Sequence, residues 1–192
     1  MPETVAPVTR SEIAQVLAAP LALTGPAEPA LRTRARPFSE EALDSPEFAE
    51  LVAQMWAVLD AIPIGVGLAA PQLGLPFALF LVDDRAGLRL ALANPQRGLI
   101  VPLPKRVPDR EGCLSWPGWQ GTVARPWWMR VSGVLVGRGP ARIEAEGFGA
   151  RILDHELDHL EGRLYLDRAL PDSLTPDLPP AAWRDDGLRA AK

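Results

Sequence analysis

The stretch His155-Glu156-Leu157-Asp158-His159 constrains this chain more than any other, because it holds the only two histidines, four residues apart, with a glutamate directly after the first. On a helix that spacing stacks both imidazoles on one face, one turn apart. Two neutral imidazoles held that way can share a transition-metal ion, and the carboxylate can take a proton from a metal-bound water. The competing reading is an exposed, charged helix with two unrelated histidines. The flanking residues disfavour it: Phe148, Ile152, His155 and His159 share one face, Leu153, Leu157 and Leu160 the adjacent one, and Gly162 suits the position just past the C-terminus. We expect a half-buried helix beginning near Gly147-Phe148, with both histidines pointing inward.

A chain of 192 residues is near the size of one domain and can bury a core unaided. Its net charge of −4 and lack of dense Lys/Arg runs argue against a nucleic-acid-binding surface. Cys113 is the sole cysteine, so no intrachain disulfide forms and any thiolate ligand must be this residue. No basic leader followed by an apolar run opens the sequence, and no segment approaches the ~18 apolar residues of a membrane span. The expectation is a cytoplasmic protein with no membrane contact.

Residues 1–38 read as a Pro/Ala-rich arm packed on the domain, with a short helix offered by Ile13, Val16, Leu17 and Leu21; residues 39–170 read as the core and 171–192 as a loosely structured Pro-rich tail that Trp183 docks. Ser45-Pro46-Glu47 supplies an N-cap, a first-turn proline and an acid, and Phe48, Leu51, Val52, Met55, Leu59 and Ile62 follow at helical spacing until Pro63. Phe77–Asp83 and Leu88–Leu92 flank a Gly-containing turn, as do Val131–Val136 and Ala141–Ala145, and each pair reads as a β-hairpin. The fold class is therefore α+β, with antiparallel sheets packed around a central metal-binding helix.

Two more segments bear on chemistry. Gly65-Val66-Gly67-Leu68-Ala69-Ala70-Pro71-Gln72 is dense in small residues, which serves either a packing turn or a close backbone approach to a ligand, and Gln72 is its lone polar side chain. Glu111-Gly112-Cys113-Leu114-Ser115 carries the cysteine. His-Glu-x-x-His occurs in unrelated metalloenzymes that differ in their third ligand. The extended metzincin form would need a third histidine where Tyr165 stands, and no glutamate follows Glu161 on a later helix, which leaves Cys113 as the candidate. Two imidazoles and a thiolate leave a fourth position open, the pattern of a catalytic site. Trp116, Trp119, Trp127 and Trp128 either line a groove or cover a sheet.

Taken together, these three segments resemble, in order and spacing, the three motifs of the peptide deformylases, with Asn94-Pro95 and Leu164-Tyr165-Leu166-Asp167 also where similar segments sit; the likeness covers roughly residues 20 to 170. The resemblance implies that Cys113, His155 and His159 hold one divalent ion, usually Fe2+ in this family, with Zn2+ or Ni2+ possible. It implies that a metal-bound water attacks the formyl carbonyl of an N-formylmethionyl nascent peptide, with Glu156 as general base and then acid, and that the Gln72 side chain and Leu114 N–H stabilise the oxyanion. It places the methionine side chain near Val66, Leu114, Phe148 and Ile152, pairs Gly67 with the peptide backbone as an added strand, and suggests transient ribosome contact. Asp154, where many members have Gln, Gln120, where an Arg is often found, and the bulky Trp116 and Trp119 depart from the family pattern. Two further readings stand beside the leading one: deformylation of a small formylated metabolite, and a non-catalytic metal-bearing binding module.

Overall fold

The computed structural model describes residues 5–98 and 103–176, so Trp183 lies outside the described residues. A capping box between Thr9 and Glu12 starts helix α1 (Arg10–Val16), one turn earlier than its apolar residues suggested, and Ile13 is fully buried. A short helix α2 (Glu40–Leu43) leads into α3 (Pro46–Asp60), whose expected cap is in place: Ser45 Oγ accepts the Phe48 N–H at 3.1 Å. Within residues 5–38 a β-bridge joins Val8 to Phe38, and a second joins Arg36 to Phe77. Asn94, at a positive φ of 49°, locks the first bridge with its side-chain amide, bonded to Phe38 N and O at 2.8 and 3.0 Å.

Strands β1 (Gly67–Ala69), β2 (Leu79–Asp83), β3 (Arg89–Arg97), β4 (Arg106–Cys113), β5 (Trp116–Pro126), β6 (Trp128–Leu135) and β7 (Gly139–Glu146) precede helix α4 (Gly147–Leu160), and a short β8 (Thr175–Pro176) follows it. All pairings between them are antiparallel, in one sheet of order β1-β2-β3-β6-β7 and another of order β4-β5-β8. The two expected hairpins are β2–β3 and β6–β7.

Strand β2 is buried along its whole length because the larger sheet is covered on both faces. Successive side chains alternate between two cores: Leu79 and Leu81 join α3 residues such as Leu51 and Met55, whereas Phe80 and Val82 join Ile152, Leu153 and Leu157 of α4. Helix α4 also contacts β5 and so touches both sheets. Among the described residues, no helix is long and apolar enough to cross a membrane.

Two features depart from the sequence reading. The β4–β5 hairpin was not anticipated, since β4 has no buried residue and shows no apolar alternation. The segment from Pro171 to Pro176 is not loose throughout: Ser173 Oγ accepts the Thr122 N–H at 3.1 Å, and β8 pairs with Trp119 and Gln120. Backbone pairing with a neighbouring strand holds it where no hydrophobic pattern could announce it.

Candidate metal centre and active site

Strand β4 ends at Cys113, and Leu114-Ser115 turn the chain into β5. Helix α4 brings its two histidines to the same point, so that the ligand atoms of Cys113, His155 and His159 all lie within 4.8 Å of one another. Cys113 Sγ is 3.3 Å from His159 Nε2, which is 3.2 Å from His155 Nε2. Burial alone would raise the Cys113 thiol, but the two imidazoles pull it well below its ordinary value. Burial would likewise hold His155 neutral, and it is overcome by Cys113 and Glu111, which push the imidazole well above its usual range.

Glu111 received no role from the sequence. It stands two residues before Cys113 on the same face of β4, and its Oε1 meets His155 Nδ1 at 3.1 Å, so it orients the ring and fixes which nitrogen faces Cys113. Arg125, 1% exposed, donates to Glu111 Oε1 at 2.6 Å, to Asp154 Oδ2 at 2.9 Å and to Asp158. Arg151 adds a bond to Glu111 Oε2 at 2.9 Å. Burial opposes ionisation of Glu111, yet the bonds from His155 and Arg125 bring its carboxyl down to about 2. Asp154 also receives Arg97, and Arg97 bonds Asp158 at 2.9 Å. A carboxylate at 154 offers the two guanidiniums one oxygen each and a negative charge, where a glutamine would offer a single neutral acceptor oxygen.

Glu156 differs from these paired acids. It is 3% exposed, its Oε2 has no hydrogen-bond partner among the described residues, and burial outweighs the two imidazoles to raise its pKa to about 7. A carboxyl poised there can both take and give a proton near neutrality. Gly67 is the close approach that the small-residue segment allowed for: a Cβ on it would overlap the Glu156 carboxylate, 2.8 Å from its carbon. Buried Gln72 accepts the Ala69 N–H through Oε1 at 2.8 Å, which turns its Nε2 donor toward the site, 3.7 Å from Cys113 Sγ.

A cavity of about 400 Å3 opens onto this cluster. Val66, Gly67, Gln72, Cys113, Leu114, Phe148, Ile152, His155 and Glu156 line it, and fully buried His159 lies beneath. The structure thus brings together the ten residues to which the resemblance gives a ligand, catalytic or substrate-binding role. The tryptophans divide: Trp116 and Trp119 line the cavity and Trp127 and Trp128 do not. Gln120, Arg110 and Arg151 also line it. The signal for Glu111 was its two-residue spacing from the cysteine; Arg125 left none.

Residues 21–174 match the sequence profile of the polypeptide deformylase family. Peptide deformylase 3 of Streptomyces avermitilis is 38% identical over 168 residues, which cover 81% of this chain and 74% of that protein. The peptide deformylase of Mycobacterium sp. (strain JLS) is 36% identical, over 79% and 81% of the two chains. Among solved structures, a peptide deformylase from Synechococcus elongatus in complex with actinonin superposes with a TM-score of 0.72 at 34% identity, covering 81% of this chain and 82% of that one. The enzyme from Thermotoga maritima gives 0.71 at 31%, over 80% and 99%. With the profile spanning most of the chain and relatives of this similarity, the chain belongs to the polypeptide deformylase family of metal-dependent hydrolases.

Proposed function

We propose that this chain hydrolyses the N-formyl group from N-formylmethionyl peptides of nascent proteins, releasing formate and a free α-amine. The observation that carries the reading is the convergence of Cys113, His155 and His159 beside the Glu156 carboxylate, whose Oε2 has no hydrogen-bond partner among the described residues. The donor set fits a metal ion. Its 3.2 and 3.3 Å separations suit ligands in tetrahedral arrangement with bonds of about 2.0 to 2.3 Å. The neighbouring imidazoles favour the thiolate of Cys113, which is the form that ligates a metal. On this reading both sheets are organised around α4 as a metal-binding helix. Fe2+ is the first candidate by family resemblance, with Zn2+ and Ni2+ behind it.

When bound, the ion supplies Lewis acidity and makes a coordinated water acidic enough to ionise near neutrality. The rest falls to the side chains. Glu156 takes a proton from the attacking water and delivers it to the amine nitrogen as the C–N bond breaks. The Gln72 Nε2 and the Leu114 N–H stabilise the carbonyl oxygen as negative charge develops; Gln72 is suited to this because its orientation is fixed beforehand through Ala69. Val66, Leu114, Phe148 and Ile152 give the methionine side chain an apolar wall. Among the described residues strand β1 pairs with β2 alone, which leaves Gly67 an edge for the peptide backbone. A binding module would have no use for a proton shuttle, and Glu156 speaks against that alternative.

The test is formate release from a formyl-Met-Ala peptide by protein purified without oxygen and reconstituted separately with iron, nickel and zinc. Release is expected with at least one metal. Glu156→Ala should lower turnover about 10²- to 10⁴-fold at undiminished metal content. Full turnover in that variant would remove Glu156 from the mechanism, and stoichiometric metal in Cys113→Ala would overturn the ligand assignment.

A further inference from the structure

The mouth of the cavity carries features that the hydrolysis does not use. Ile64 and Trp119 are 69% and 44% exposed, and both line it. Large apolar side chains left in water around a concave site mark binding, since folding gains nothing from them there. Trp119 is also held deliberately. In the β4–β5 pairing Gly112 faces Gln120 and Cys113 faces Trp116, so Pro117, Gly118 and Trp119 have no partner on β4. Such a bulge beside an active site re-aims side chains. Gly118 takes a φ of +82°, Trp119 pairs with Pro176 of β8, and the Tyr165 hydroxyl donates to the Trp119 carbonyl at 3.0 Å. An exposed indole thus sits on a backbone fixed from two sides. Trp has only two side-chain torsions to freeze, so contact with a ligand costs it little entropy.

We propose that Trp119, together with Ile64, forms a subsite for an apolar or aromatic side chain in the residues that follow the formylated methionine, so that the chain selects among formylated N-termini by their downstream sequence. The inference rests on the peptide-deformylase reading of the site. The cavity of about 400 Å3 is larger than one methionine side chain fills. A peptide extended along the edge of β1 at Gly67, with its formylated end at Glu156, must leave through the mouth, past Ile64 and Trp119. A charged clamp on the peptide backbone would be indifferent to side chains. An indole face is not.

Metal-loaded enzyme should be assayed on two peptide series, formyl-Met-X-Ser and formyl-Met-Ser-X, with X as Leu, Phe, Ser or Asp. In one series Leu or Phe should raise kcat/KM about tenfold over Ser, chiefly through KM. Trp119→Ala should shrink that ratio to about twofold, and Trp119→Phe should keep most of it. No preference in the native enzyme, or a preference that survives Trp119→Ala, would overturn the subsite while leaving deformylation standing. Absence of formate from every peptide would instead sink the activity on which the subsite depends.

Discussion

The two sheets that meet α4 are held by different forces. In the larger, all five residues of β2 are buried, and the strand is fixed by apolar contact on both faces. In the smaller, the residues of β4 are exposed or half-buried, though the Glu111 side chain is only 7% exposed, and this strand ends at Cys113. What holds β4 against the helix is charge: Glu111 is bonded by Arg125 and Arg151, and Arg125 runs on to Asp154 and Asp158 of α4. The strand bearing the chemistry is thus tied to the histidine helix by ion pairs that also set the orientation of His155. Stability and site geometry are coupled in the smaller sheet and largely separate in the larger.

The sharpest way to break this contrast is a pair of substitutions. Arg125→Met takes one guanidinium from three buried carboxylates, leaving Arg151 on Glu111 and Arg97 on Asp154 and Asp158, and should cost about 3–5 kcal/mol of unfolding free energy. Leu81→Ala opens a cavity in the larger sheet and should cost a comparable amount, about 2–5 kcal/mol. Denaturant titration gives both numbers, and metal affinity separates them. Releasing Glu111 frees the His155 ring, so Arg125→Met should weaken metal binding about 10- to 100-fold, whereas Leu81→Ala should leave it near native. Equal loss of metal in both variants would mean that the charge network only holds up the fold.

Acid sharpens the comparison further. Glu111 has its pKa lowered from 4.5 to about 2, and Asp154 is lowered from 3.8 by Arg97 and Arg125 against the opposing effect of burial. A carboxyl depressed in the folded state contributes stability that is complete above its unfolded value and lost as pH falls through its folded value. The gap in stability between native protein and Arg125→Met should therefore be widest above 4.5 and narrow as pH falls toward 2. The gap for Leu81→Ala involves no proton and should stay flat. Unfolding midpoints at several pH values decide this, and parallel curves would mean the carboxylates are not what Arg125 stabilises.

The same division explains what the sequence made legible. Hairpins β2–β3 and β6–β7 could be read because apolar runs flank glycine turns, and α3 because its cap and heptad-like spacing are local. Strand β4 could not, since Arg106-Val107-Pro108-Asp109-Arg110 has the composition of a loop and its partners are 12 or more residues away. The candidate ligands were legible as reactive residues in two of the three motifs. Glu111 and Arg125 were not, because an ion pair between residues 14 and 33 positions apart leaves no periodicity. Asp154 showed only as an unusual residue for the family, and its two arginines give the reason.

The smallest effect tests whether the legible region really behaves locally. Ser45 Oγ accepts the Phe48 N–H at 3.1 Å and donates to Ala42 O at 2.6 Å, joining α2 to α3. Ser45→Ala removes both bonds and should cost about 1 kcal/mol, 2 at most. Ser45 shares no hydrogen-bond partner with the cluster around Arg125, so its penalty should add to that of Arg125→Met within about 0.5 kcal/mol. It should also be the same with metal bound or removed, since the ion adds equally to the stability of both proteins. A cap penalty that changed with metal loading would show that α3 senses the site through the larger sheet, and the separation drawn between the two regions would fail.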